Sequence, residues 1–251
     1  MNEPLIVLII QYSWLYGLIC LWLWYQIKRS HLKLNFLFGE IPNNFHWIKQ
    51  LLIVIPILFF SFGSGQLLYY FISLINPDIV KNLASQTLLL TPQETSYPLT
   101  YNCLQLLFII IFAPVIEELL FRGILLHRWA IKWGLVTSLI VSSLFFGVLH
   151  LNVFGLFNFG LIMALIYLKT HTLFIPIAIH SLNNFIAIIF ELISSLFNER
   201  AIVNSSEKIE FTWRLGLLAM GISLPWLINF WQKNWPTPRQ VLPYFANRNH
   251  S

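Results

Sequence analysis

Charged residues are scarce in this sequence. Of its 251 residues only 10% are Asp, Glu, Lys or Arg, whereas about a quarter of the residues of an average soluble domain are charged. Hydrophobic residues make up 57% and aromatic residues 16%, and the mean hydropathy is +0.71. This composition excludes an ordinary soluble domain and predicts a protein that crosses a membrane several times.

Cysteine and aspartate are scarcer still. The two cysteines, Cys20 and Cys103, lie far apart in apolar segments. They form neither a disulfide framework nor a paired zinc motif, and we expect them to be packing residues. Asp78 is the only aspartate and falls in a polar loop, which excludes an aspartyl protease dyad. The chain also has no His-Glu-x-x-His motif, and Ser64 between two glycines lacks the context of a nucleophile.

The net charge of +5 could suggest a nucleic-acid partner. The basic residues are scattered between apolar runs, however, and do not gather on one face as nucleic-acid binding requires. Scattered basic loops are typical of membrane proteins, whose cytoplasmic loops are enriched in Lys and Arg. We therefore expect a lipid bilayer, and no nucleic acid, as a partner.

The apolar runs predict an all-α, polytopic transmembrane helix bundle of about seven spans, within a range of six to eight. About 20 apolar residues cross a bilayer as a helix. On that measure the predicted spans are Pro4–Ile27, Trp47–Ile75, Tyr101–Leu126, Trp133–Leu151, Val153–Leu168, Leu173–Phe197 and Trp213–Trp231.

The loop charges predict the orientation of the bundle. Alternating loops place ten basic residues on one side and four on the other, so the first side is expected to be cytoplasmic, with the N-terminus outside. The ten are Lys28, Arg29, Lys33, Lys49, Arg128, Lys132, Lys169, Lys233, Arg239 and Arg248. The four are Lys81, Arg200, Lys208 and Arg214.

Three ionisable residues interrupt the third predicted span: Glu117, Glu118 and Arg122. A charge near the bilayer centre costs roughly 2.5–3.5 kcal/mol on insertion scales, so such residues point first to a functional site. Glu118 and Arg122 are four apart on one helix face, whereas Glu117 is turned away by about 100°. We predict that Arg122 neutralises Glu118 and that Glu117 is free for chemistry. A buried ion pair that only locks two helices together is the alternative.

The next apolar helix carries Phe146-Gly147-Val148-Leu149-His150. The midpoint between Glu117 and His150 falls at Trp133-Gly134, where the two helices must turn. In an antiparallel hairpin, residues equally far from the turn lie at a similar depth. The spacing therefore predicts that Glu117 and His150 can meet, although a lone histidine at a helix end can also be a satisfied interfacial residue.

A third polar group lies on the sixth predicted span. His180 and Asn184 are four apart and share a helix face inside the membrane. An interhelical hydrogen-bonded pair would explain them without catalysis. Together with Glu117 and His150 they could instead complete a site.

The three groups resemble the motifs of a known family. Glu117-Glu118-xxx-Arg122, Phe146-xxx-His150 and His180-xxx-Asn184, in this order and each on a predicted span, are similar to the motifs of the CPBP (Abi) intramembrane proteases. That family includes the type II CAAX prenyl endopeptidases. The resemblance covers roughly residues 100–196, and it divides the chain into three parts. These are N-terminal helices and a solvated loop (1–99), a catalytic helix core (100–197), and a last helix with a loose tail (198–251).

The resemblance implies a role for each residue. Glu117 would be the general base that activates a water, His150 would position and polarise that water, and His180 with Asn184 would stabilise the oxyanion. Glu118, Arg122 and Phe146 would support them. The implied activity is that of an intramembrane endopeptidase on a peptide or membrane-protein substrate, including one with a lipid-modified end. The implied location is a multi-pass position in a bacterial-type plasma membrane or an internal membrane.

Two questions stay open at the level of sequence. Glu117, His150 and His180 could form a three-ligand zinc site with an open fourth position, but the glutamate and water scheme needs no metal, and we expect no cofactor. The chain could also be a non-catalytic family member acting as a membrane scaffold or in bacteriocin immunity. A transporter is a further alternative, against which stands the lack of repeated halves.

Overall fold

The computed structural model describes residues 3–43, 45–84, 88–198, 205–237 and 239–249. Throughout these ranges the regular structure is helical, without a strand. The helices are α1 (Pro4–Arg29), α2 (Leu34–Phe38), α3 (Trp47–Leu51), α4 (Val54–Ile75), α5 (Pro77–Ala84), α6 (Pro98–Leu107), the π-helical turn π1 (Phe108–Phe112), α7 (Ala113–Glu118), a second π-helical turn π2 (Leu119–Leu125), α8 (Leu126–Trp133), α9 (Leu135–Val148), α10 (Val153–Thr170), α11 (Phe174–Asn198), α12 (Ser205–Asn234) and α13 (Pro243–Asn249).

Among the described residues, six stretches of helix are long and apolar enough to cross a membrane, which confirms the predicted all-α bundle. They match the predicted spans except the fourth. That span, predicted as Trp133–Leu151, is the 14-residue helix α9, which at 1.5 Å per residue is roughly 21 Å long and thus shorter than the hydrocarbon core. The shortening has a local cause: Gly134 opens α9 at φ 85°, and Asn152 already caps the next helix, with its side chain accepting a hydrogen bond from the Gly155 amide.

Proline opens several of the helices. The first helical residue is proline at Pro4, Pro77, Pro98 and Pro243. At this position a backbone N–H would have no intrahelical acceptor, so its absence costs nothing, and the fixed φ of proline suits a helix. The long α1 ends with Lys28 and Arg29 in its last turn, at the negative end of the helix dipole.

Helix α10 forms the centre of the bundle, and two thirds of it is buried. It packs along α9 because both helices present small residues: a Cβ on Gly160 would lie 3.2 Å from the Ser143 backbone, and one on Gly147 would lie 2.6 Å from the Val153 carbonyl oxygen. Small residues allow this close approach of backbones in a membrane.

A second close crossing joins α4 to α12. Gly63 and Gly216 face each other, and a Cβ added to Gly63 would lie only 2.3 Å from the Gly216 carbonyl oxygen. The glycine within the second predicted span therefore serves helix packing. The neighbouring Ser64 hydroxyl donates to the Asn152 side chain at 2.9 Å, which ties α4 to the start of α10.

Most of the basic residues predicted to share one side gather at one end of the bundle. The ends of α1, α2, α8, α10 and α12 are tied together there by side-chain hydrogen bonds. Arg128 donates to Gln26, Lys169 donates to Asn234 at 2.8 Å, and the Tyr167 hydroxyl donates to the Leu37 carbonyl at 3.0 Å. On the opposite side, Arg200 and the side chains of Lys81 and Lys208 lie outside the described residues.

The C-terminal tail differs from the loose segment expected from its composition. It forms α13, where Tyr244 and Ala246 are buried. The Asn247 side chain donates to the carbonyls of Phe36 and His171, both at 2.8 Å. The tail is ordered because it bonds to backbone carbonyls at the ends of other helices, and composition alone does not reveal such partners.

Both cysteines are exposed, on α1 and α6. The expectation that they are packing residues is therefore wrong.

Candidate active site

The predicted catalytic helix is one continuous stretch, Pro98–Trp133, that changes pitch twice. The six-residue α7, which carries both glutamates, lies between the π-helical turns π1 and π2. π-Helical turns are rare and are frequent at functional sites. Each turn rotates the residues beyond it relative to a regular α-helix, so it helps to set the direction of the glutamate side chains.

Glu118 and Arg122 form the predicted ion pair, at 3.0 Å, and both side chains are buried. The second guanidinium nitrogen of Arg122 donates to the Gly160 carbonyl at 2.9 Å, and its Cζ lies 4.8 Å from the centre of the Phe146 ring. Arg122 therefore fixes the catalytic helix against both α9 and α10. Phe146 thus lies against Arg122, and its supporting role stays a prediction.

His180 joins the two carboxylates. Its Nδ1 lies 2.9 Å from Glu118 Oε1, and its Nε2 lies 3.9 Å from Glu117 Oε2. The resemblance implied an oxyanion role for His180 together with Asn184, which stays a prediction; in the structure the ring is hydrogen-bonded to Glu118 and faces Glu117. Because a carboxylate only accepts, Nδ1 carries the proton shared with Glu118, and in the neutral ring Nε2 is an acceptor facing Glu117.

The two glutamates differ in exposure. The Glu118 side chain is 0% exposed, whereas that of Glu117 is 19% exposed. Glu117 thus remains reachable from outside while Glu118 is enclosed by its partners. This unequal burial agrees with the division of roles predicted from the helix geometry.

Tyr16 of α1 is a site residue that the sequence did not reveal. Its hydroxyl lies near enough to the Glu117 carboxylate for the two groups to interact electrostatically. Its ring packs against Phe108 of π1, with centroids 5.8 Å apart. Tyr16 lies outside the three motifs, and its hydroxyl group within a lipid-length span is the only signal that could have drawn attention to it.

His150 contacts the site through Phe146. Its ring stacks on the Phe146 ring at 4.6 Å, and its Nδ1 donates to the Phe146 carbonyl at 2.6 Å. Among the described side chains, no ion pair or hydrogen bond joins His150 to Glu117, so the meeting predicted from the hairpin is not observed. The reason is that α9 ends at Val148 and the turn draws the imidazole back onto its own helix.

Asn184 supports the backbone of the catalytic helix. Its Nδ2 donates to the Ile109 carbonyl in π1 at 2.9 Å, one turn along α11 from His180. The amide NH2 group has two N–H donors, and the bond to Ile109 uses one of them. An oxyanion role for Asn184 stays a prediction.

The residues considered for zinc do not form a ligand set. Among the described residues, no three His, Cys, Asp or Glu side chains are grouped so that they could hold a metal ion. His180 lies near Glu117, but His150 keeps its Nδ1 on a backbone carbonyl.

Fold and site together define a class: a multi-pass, all-α integral membrane protein with a buried cluster of glutamate, histidine and arginine side chains. Comparison with known families shows what part of the chain is similar to. Residues 99–186 match the family described as type II CAAX prenyl endopeptidase Rce1-like, and this stretch contains all three motifs. This part of the chain is thus similar to the protease family that the three motifs resemble.

Two curated relatives were found. The membrane-embedded CAAX protease MroQ of Staphylococcus aureus (strain USA300) is 33% identical over 118 residues, which cover 43% of this chain and 46% of the relative. An uncharacterized protein of Mycoplasma capricolum is 34% identical over 135 residues, covering 50% of this chain and 38% of the relative. The chain therefore matches less than half the length of either relative. No solved structure matches it.

Proposed function

We propose that this protein is an intramembrane endopeptidase in which Glu117 activates a water molecule for attack on a peptide bond. The observation that carries the proposal is the unequal setting of two adjacent glutamates. Glu118 is fully buried and bonded to Arg122 and His180, whereas Glu117 is partly exposed beside the free Nε2 of His180. The Glu118 carboxylate is therefore structural, whereas the Glu117 carboxylate is available for proton transfer.

The 3.9 Å separation between Glu117 Oε2 and His180 Nε2 suits a bridging water. Both atoms are acceptors when His180 is neutral with its proton on Nδ1, so a water between them would donate one hydrogen to each. Its lone pairs would then point away from both and toward a substrate carbonyl carbon.

In the proposed reaction Glu117 takes a proton from this water as the new C–O bond forms. It then returns the proton to the departing amine as the C–N bond breaks. His180 keeps its orientation because Nδ1 is held by Glu118, and Glu118 is held in turn by Arg122. The remaining N–H of Asn184 is the proposed donor to the oxyanion, while His150 orients substrate or water beside Phe146.

The proposed substrate is a peptide presented from the membrane, including one with a lipid-modified end. Two similarities support this class: the match to a family described as CAAX prenyl endopeptidases and a relative whose name is CAAX protease. The partly exposed Glu117 also lies on a membrane-spanning stretch, which suits a substrate that arrives through the lipid.

Purified protein incubated with a prenylated CAAX peptide and with a library of membrane proteins tests the proposal. Wild type is expected to cleave, Glu117→Ala to be inactive, and His150→Ala and Glu118→Ala to be impaired. Cleavage that survives Glu117→Ala would overturn the mechanism. Absence of cleavage by folded wild type would favour the membrane scaffold.

The same assay with a chelator tests the metal question. Activity is expected to persist after metal removal, because the proposed scheme activates the water with Glu117 and needs no metal. Loss of activity that only Zn²⁺ restores would contradict the metal-free scheme.

A further inference from the structure

Two adjoining cavities lie beside α1, outside the cluster of glutamates and histidines. The first has a volume of about 770 Å³ and is walled by α1, α2, α7 and π2. The second, of about 480 Å³, is walled by the loop after α1 and by α2, π2, α8 and α13. His31 and Leu32 line both cavities, so the two lie on either side of these residues.

The first cavity is largely apolar. Leu23, Ile27, Ile116 and Leu119 contribute to its walls, and it extends from the end of α1 to the middle of the catalytic helix. In a bilayer such a groove is filled by hydrocarbon, because water has few polar partners there.

Basic side chains surround the end where the cavities adjoin. Lys28 and His31 line the first cavity, and His31, Arg128 and Arg248 line the second. No Asp or Glu occurs among the described residues that line either cavity. Charge and shape therefore suit one elongated ligand with an apolar part and an anionic end.

We infer that the two cavities form a binding site for an anionic phospholipid, with an acyl chain against Ile116 and Leu119 and the phosphate among Lys28, His31, Arg128 and Arg248. Basic pockets between helices at the end of a bundle bind lipid head groups in this way. The bound lipid would bridge α1, α8 and α13, three helices that approach one another at this end.

The arrangement around Arg128 supports the site. Its guanidinium donates to Gln26 on α1, which holds it at the wall of the second cavity. Arg248 belongs to α13, the helix fixed by Asn247, so the well-anchored tail keeps this charge in place. The site is independent of proteolysis, and its tests need no substrate.

Thermal unfolding of the delipidated full-length protein in neutral detergent tests the inference. Titration with phosphatidylglycerol is expected to raise the unfolding temperature at lower concentration than phosphatidylcholine with the same acyl chains. Equal shifts with both lipids would overturn the inference. An equal shift with inorganic phosphate alone would also overturn it, because the acyl chain would then contribute nothing.

A pair of neighbouring substitutions tests the head-group end. Lys28→Gln removes a charge that lines the first cavity, whereas Arg29→Gln removes the same charge from an adjacent residue that lines neither. Lys28→Gln is expected to weaken the apparent affinity for phosphatidylglycerol by about fivefold, the contribution of one basic group near an anionic lipid. Equal effects of the two substitutions would contradict the assigned position of the phosphate.

The two cysteines test the acyl-chain end. Cys20 lines the first cavity, so Cys20→Phe fills it and is expected to weaken the response to phosphatidylglycerol. Cys103→Phe places the same ring on α6, at an exposed position that lines neither cavity, and should leave the response unchanged. An unchanged response in folded Cys20→Phe would overturn the placement of the chain.

Discussion

Glu117 and Glu118 are neighbours in the chain, yet they meet different surroundings because a helix turns by about 100° per residue. Glu118 points to Arg122 and His180, and both of its partners are themselves buried. Glu117 points toward Tyr16 and the Nε2 of His180. At the scale of single residues, the site therefore consists of one structural and one available carboxylate.

Glu118→Gln is expected to destabilise the protein strongly. Gln keeps the shape of the side chain but leaves the buried Arg122 without its counter-charge, which costs about 3–5 kcal/mol in free energy of unfolding. Reversible unfolding in mixed detergent measures this loss. Glu117→Gln is the matched control, because Glu117 has no bond to Arg122 and is partly exposed; a similar loss in both variants would contradict the division between the two carboxylates.

Tyr16→Phe is expected to lower the cleavage rate, because it removes the polar hydroxyl that lies near the Glu117 carboxylate. Tyr12→Phe is the control, as the Tyr12 hydroxyl donates to Gln105 at 2.8 Å within the same aromatic cluster. Initial rates in lipid vesicles distinguish the two variants. Equal losses in both would show that the tyrosines matter only for packing.

Residue-scale predictions from sequence succeeded where partners lie on one helix. The ion pair between Glu118 and Arg122 follows from their spacing of four residues. The contact of His180 with both glutamates could not be predicted in this way, because it joins residues more than 60 positions apart. The predicted meeting of Glu117 with His150 is not seen among the described hydrogen bonds and ion pairs, since hairpin geometry gives depth but not the direction of a side chain.

At the scale of helices, departures from regular geometry shape the site. The turns π1 and π2 adjust the direction of α7, and Asn184 holds the carbonyl of Ile109 in π1. Nothing in the run of apolar residues from 108 to 112 marks such a turn, since periodicity reports which face is apolar and not the pitch. The close contact of α4 with α12 has a clearer origin in its glycines.

Gly63→Ala is expected to cost about 1–3 kcal/mol in free energy of unfolding, because a side chain there overpacks the crossing with α12. The added Cβ would lie 2.3 Å from the Gly216 carbonyl oxygen, and both backbones would have to move apart. Unfolding in mixed detergent again provides the measurement.

Gly221→Ala is the control for that crossing. It lies on α12 itself, and a Cβ there meets no atom within 4 Å, so it should be neutral or slightly stabilising. Equal stability of the Gly63 and Gly221 variants would contradict the close crossing.

At the scale of the whole molecule, the bundle has two distinct ends. At one end the basic helix termini are joined to one another and to α13. At the other, Glu3 accepts a hydrogen bond from the Ser96 amide at 3.0 Å, so the N-terminus and the loop before α6 lie together. His180 is six residues from the start of α11, roughly 9 Å along the helix axis, which places the site nearer the basic end.

The loop charges predict that the basic end is cytoplasmic. Reporter fusions within residues 88–97 and at the C-terminus are expected to report the outside and the cytoplasm, respectively. With this orientation the site would be nearer the cytoplasmic face. A cytoplasmic signal from the 88–97 fusion would reverse the orientation and the side from which substrate arrives.

The most direct test of the central claim is the cleavage rate of Glu117→Gln against wild type. Both proteins are reconstituted in the same vesicles, with equal amounts of folded protein established by thermal unfolding. Loss of a general base predicts a fall in rate of at least about 10²-fold, with the unfolding temperature unchanged because Glu117 lies outside the bonds between Glu118, Arg122 and Gly160. Cleavage at the wild-type rate would show that Glu117 does not activate the water.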